Sequence, residues 1–168
     1  MPENTELQKV LQQISLAVEF LKEASKIDLS ARNLSQIEDT LKSIQSLTCQ
    51  FVKHEDLQQI AYHLSSVGTA SVFLKVMRAL KTHYNVKNWP CLFALRAASM
   101  SLSNQFESFC NDLGYVGFVT VLVNELKLYE KAQLAQNVSN CNCCNVLTYT
   151  NYYWSMQGTL VVSVSCIC

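Results

Sequence analysis

Charge divides this chain into two different materials, and that division limits its fold more than any other feature. All 26 Asp, Glu, Lys and Arg residues lie at or before Lys131, and the 37 residues from Ala132 to Cys168 carry none. At the roughly one-quarter charged frequency of ordinary proteins, such a run arises by chance about once in 40,000. Cys141, Cys143, Cys144, Cys166 and Cys168 also fall in this ending. The two parts therefore call for separate readings.

The first part reads as helices. Leu7, Val10, Leu11, Ile14, Ala17, Val18 and Leu21 follow a 3.6-residue period, with Gln, Lys and Glu between them. Thr5 with Gln8, and Ser35 with Glu38, match the capping-box spacing and predict helix starts. The second helix then runs through Ile37, Leu41, Ile44, Leu47 and Phe51. Further helices are predicted at about 55–66, 69–83, 89–103, 105–112 and 115–131, with Pro90 in a first turn, where proline is tolerated. Only four glycines and two prolines in 168 residues suit long helices with short connections. An apolar share of 49% is enough for a core and argues against disorder.

These helices carry an internal repeat. Counting back from Gly68 and Gly114, Ile60 matches Phe106, Leu64 matches Cys110, and Val67 matches Leu113. Counting forward, Phe73 matches Val119, Val76 matches Leu122, Met77 matches Val123, and Leu80 matches Leu126. The period is 46 residues, and each glycine is expected to turn the chain just past a helix end. With an offset of 51, Leu41 pairs with Leu92, Ile44 with Leu95, Leu47 with Ala98 and Phe51 with Leu102.

Over roughly residues 35–131 this pattern resembles the armadillo family, with HEAT-type repeats a close competitor. The residues that carry the resemblance are Leu113-Gly114-Tyr115-Val116, then Val121-Leu122-Val123-Asn124-Glu125-Leu126, and the helix Ala94-Leu95-Arg96-Ala97-Ala98-Ser99-Met100. The resemblance implies an all-α, right-handed helical-repeat superhelix whose third helices line a concave surface for a protein partner. Residues 1–33 are then an N-terminal amphipathic capping helix and linker. Residues 34–131 are one complete and two partial repeats. Residues 132–168 are a tail, either disordered or a weak β-hairpin turning near Gln157-Gly158. Peptide-binding members place Trp and Asn four residues apart on the third helix. Those positions are Gln45 and Cys49, and one repeat later Arg96 and Met100, so the Trp/Asn pair is absent from both. That departure puts a basic localisation peptide in doubt as ligand and leaves these four as the concave-face candidates for a protein partner.

Catalytic chemistry finds little support. The histidines are His54, His63 and His83. There is no His-Glu-x-x-His pattern and no Gly-rich phosphate loop. His54, just before Glu55-Asp56, reads as a solvated helix start, and His63 as a packed or solvent-facing helical residue. The cysteine spacings in the tail, Cys-x-Cys-Cys and Cys-x-Cys, are poor for zinc, so neither metal nor cofactor is expected. A formal net charge of zero removes the simplest case for nucleic acid or an anionic membrane. The apolar end, Leu160 to Cys168, is too short to span a bilayer.

Charged residues interrupt Met1 to Ser25, so no secretory signal is expected there. A cytoplasmic location with cysteines as thiols follows as an expectation, and Asn33-Leu34-Ser35 and Asn137-Val138-Ser139 are then not glycosylation sites. The functional expectation is a non-enzymatic protein-interaction scaffold. Two rivals stand beside it: a truncated form of a longer armadillo protein with no activity of its own, and a regulator of a small GTPase. The repeat breaks off before its third helix, so self-association through an uncapped C-terminal end is also expected.

Overall fold

Helix formation follows the apolar period closely. The computed structural model describes residues 3–26, 31–82, 88–125, 127–128, 147–154 and 160–167. The first helix, α1 (Glu3–Ala24), buries Leu7, Val10, Ile14, Val18, Leu21 and Ala24 on one face. The second, α2 (Ala31–Thr48), buries Leu34, Ile37, Leu41 and Ile44. Full burial of a Leu or Ile side chain is worth roughly 1.5–3 kcal/mol, so this face outweighs any cap in holding α2. There follow α3 (His54–Ser66), α4 (Thr69–Thr82), α5 (Trp89–Gln105), α6 (Glu107–Tyr115) and α7, described over 118–125 and 127–128. Pro90 stands in the first turn of α5.

The two capping boxes mark no helix start. Thr5 lies inside α1, which is already helical at Glu3, and Ser35 lies inside α2, which is helical from Ala31. The earlier start of α2 puts Leu34 on the same buried face as Ile37 and Leu41, a gain that a cap at Ser35 would forfeit. Residues 31–33, expected as linker, therefore belong to α2.

The glycine register also differs from the expected one. Gly68 has φ of +69° and turns the chain from α3 to α4, as expected. Its counterpart is Gly117, with φ of +75°; Gly114 lies within α6. The two turns match bond for bond. Val67 N–H donates to His63 O and Gly68 N–H to Ser65 O, both at 3.0 Å. Val116 N–H donates to Asp112 O at 3.0 Å and Gly117 N–H to Gly114 O at 3.1 Å. From Gly68 to Gly117 is 49 residues, not 46. Under this offset Ile60 matches Phe109, Leu64 matches Leu113 and Phe73 matches Leu122, and all six are fully buried. The residue that needs positive φ comes just after the C-cap, which in the second unit is Val116, so the turn falls on Gly117, three positions past Gly114.

Of the four pairs expected at an offset of 51 between α2 and α5, two are buried in both members; Leu47 is half-buried and Phe51 lies past the end of α2. Leu41 and Leu92, Ile44 and Leu95 are buried pairs. Thr48 and Ser99, also 51 apart and fully buried, donate their hydroxyls back to Gln45 O (2.9 Å) and Leu95 O (2.7 Å).

Packing joins helices three places apart: α1 lies against α4, α2 against α5, and α3 against α6. Sequence neighbours pack too, α1 on α2, α3 on α4, α4 on α5 and α5 on α6. Two side-chain bonds set α2 and α5 parallel. The Cys91 thiol donates to Leu34 O (2.9 Å) near their N-terminal ends, and Gln105 Nε2 donates to Thr48 O (2.9 Å) at their C-terminal ends. Phe73 of α4 meets Phe109 of α6 edge-on, with ring centroids 5.8 Å apart, and Phe118 of α7 at 6.5 Å. Aromatic pairs of this kind add about 0.5–1.5 kcal/mol beyond their burial.

Within the charge-free tail, the backbone forms an antiparallel pair, β1 (Leu147–Trp154) and β2 (Leu160–Ile167). Leu147 stands opposite Ile167 and Trp154 opposite Leu160. The hairpin expected there is thus present as backbone, with Gln157-Gly158 between the strands and outside the described residues.

Candidate interaction surface

The four residues singled out on the third helices lie on neighbouring elements. Gln45 lies in α2 and Cys49 in the turn just past its end, while Arg96 and Met100 lie in α5. Cys49 is exposed, while Gln45, Arg96 and Met100 are half-buried. The parallel packing of α2 on α5 brings the end of one row beside the other, with Cys49 Sγ 3.8 Å from Ser101 Oγ. Lys42, Ser46 and Gln50 are exposed along the α2 side, and Phe93, Ala97 and Asn104 along the α5 side. Lys42 is committed to Glu38, at 2.6 Å, and that bond together with the Glu38 charge raises its pKa. This surface therefore offers amides, hydroxyls, the Cys49 thiol and apolar side chains from Ala97 to Phe93 and Met100, with Arg96 as a cation. Such groups suit a polypeptide main chain and have no nucleophile–base arrangement among them.

Cys91 faces inward instead. Burial, with a smaller push from the Glu38 carboxylate, raises its thiol pKa to about 11. A thiol that stays protonated and donates to Leu34 O is a structural donor, not a nucleophile.

A concavity lies between α1 and α3. Two open clefts of about 470 and 480 Å³ meet at Leu11 and His63. Ser15 Oγ stands 2.7 Å from His63 Nε2, a contact across 48 residues of sequence that the reading of His63 as packed or solvent-facing did not include. No sequence signal pairs the two; only the packing of α3 on α1 does. Ser15 Oγ also donates to Leu11 O at 3.1 Å, and the imidazole tautomer sets which of Ser15 and His63 donates in their own contact. Ser15 lies in the middle of α1 and His63 in the last turn of α3. His63 acts as a tie between helices.

His54, the first residue of α3, is exposed and lies 3.0 Å from Gln58 Nε2, as a solvated helix start should. His83, Cys141, Cys143, Cys144 and Cys168 lie outside the described residues, and Cys166 is described as backbone in β2 alone. Among the described residues no group of three or more His, Cys, Asp or Glu is placed to hold a metal ion. Among them, too, no helix is long and apolar enough to cross a membrane. Comparison with known protein families, with characterised proteins and with solved structures found no match.

Proposed function

We propose that this chain is a non-enzymatic protein-interaction scaffold, with its helices stacked as armadillo-like repeats in a right-handed superhelix. The observation that carries this reading is the three-place packing order, α1 on α4, α2 on α5 and α3 on α6. Helices that recur in threes and stack on their equivalents are what a three-helix repeat requires. The matching turns at Gly68 and Gly117 support the same reading. On it, α1 and α2 are the second and third helices of an incomplete first repeat, α3 to α5 form a whole repeat, and α6 and α7 open another.

The partner is a protein segment lying across α2 and α5, held by Gln45, Cys49, Arg96 and Met100, in the cytoplasm. The test introduces Gln45→Glu with Arg96→Glu, placing two carboxylates on half-buried positions of α2 and α5. A control variant, Glu19→Lys on exposed α1, leaves that surface untouched. Quantitative affinity enrichment should return proteins held by the parent chain and by the control, and lost from the double variant. Equal retention by all three chains would remove the α2/α5 surface from the proposal.

A further inference from the structure

The hairpin at the end of the chain is the least self-sufficient part of the structure. A two-stranded ribbon is marginal in water unless something else packs on it. Among the described elements β1 pairs only with β2, and neither strand makes an extensive contact with a helix. The ladder runs the full eight residues of each strand, without a break. Among the described residues each outer edge therefore presents a row of backbone N–H and C=O groups over eight residues.

Sheet proteins that stay monomeric protect such edges with lysines, prolines, bulges or very short strands. None of these devices is present. β2 reads Leu-Val-Val-Ser-Val-Ser-Cys-Ile, with no charge and no proline. Its β-branched content favours extended backbone. The surrounding residues 132–168 add no charge either, so two copies meet without electrostatic repulsion.

We propose that β2 is a docking edge for β2 of a second copy of this chain. The two strands pair antiparallel about a two-fold axis and close a four-stranded sheet, β1-β2-β2-β1. A two-fold pairing uses the same edge on both copies and stops at the dimer. The commitment to β2 over β1 rests on composition: four of its eight residues are Val or Ile, whereas β1 carries Asn151 in mid-strand and no Val or Ile. This inference is independent of the repeat reading, since it involves none of the helices.

The experiment is sedimentation equilibrium on the full chain over a range of concentrations, with reductant present so that no disulfide links the copies. Two variants carry the same added charge on opposite strands. Ser163→Lys with Ser165→Lys charges β2. Asn151→Lys with Tyr149→Lys charges β1 at the positions that face those two serines across the ladder. Like charges opposed across strands are unfavourable, so the β2 variant should weaken the dimer roughly tenfold or more. The β1 variant should leave the dimer in place. A monomeric parent chain overturns the proposal, as does a dimer that resists both variants or one that both weaken equally.

Discussion

Single residues at the helix junctions show how narrowly backbone geometry acts. Gly68 and Gly117 hold φ of +69° and +75°, and a Cβ added at either would meet no atom within 4 Å. The cost of Gly68→Ala or Gly117→Ala is thus backbone strain alone, about 1–2 kcal/mol each. Gly114, equally open but inside α6, should respond with the opposite sign. Gly114→Ala should stabilise by about 0.5–1 kcal/mol, because glycine inside a helix loses more freedom on folding than alanine does. Urea denaturation of the three variants checks this; three changes of one sign would mean that the 49-residue register is wrong. Cys91 offers a pH test. Its folded pKa of about 11 lies above the ordinary thiol value of 9.0. Below pH 9 the thiol is protonated in both folded and unfolded chains, and its contribution is fully present. Between about pH 9 and 11 the unfolded chain releases the proton first, so stability falls as pH rises. Cys91→Ala should lack that component of the fall, measured as the difference between the two chains' unfolding midpoints across the window. At pH 8, exposed Cys49 should react with a thiol reagent well before buried Cys91.

At the scale of elements, a few cross-helix ties decide how the faces meet. Ser15 with His63 joins α1 to α3, and Ser65 with Asp112, at 2.6 Å, joins α3 to α6. A double-mutant cycle on Ser15→Ala and His63→Ala should give a coupling of about 1 kcal/mol, the usual net worth of such a bond. Zero coupling would mean the contact is absent in solution. The apolar tie is larger. Phe73 is fully buried between Phe109 and Phe118, so Phe73→Ala empties the junction of α4, α6 and α7. It should cost about 3–5 kcal/mol, readable from denaturation. Helix existence was legible in the sequence because a 3.6-residue apolar period leaves few alternatives. Helix ends were less so. The Thr5 and Ser35 boxes were locally valid signals that lost to the burial of one more turn, and Leu113-Gly114 resembled a helix stop while Gly117 carried the turn.

Across the whole molecule, the helical part should behave as one cooperative unit. One apolar core runs from Leu7 in α1 to Leu122 in α7. Hydrogen exchange on the full chain should therefore show the buried segments of α1 to α6 opening together, at a common free energy. Protection of α3 to α6 with fast exchange in α1 would make α1 an independent appendage. Buried residues of α1, among them Leu7, Ile14 and Leu21, belong to the same core as those of α2 to α7. Sequence alone determined that the charged part is helical, that the ending is of another kind, and that Leu41 and Ile44 share a buried spacing with Leu92 and Leu95, 51 residues on. Each of those is written in local spacing: an apolar period, a missing charge, a repeated face. Only the tertiary structure decided the 49-residue register, the parallel seating of α2 on α5 and the Ser15–His63 tie. Each of these depends on which surfaces meet across about 50 residues of chain, and the free energy of that meeting comes from burial shared between helices rather than from any one of them.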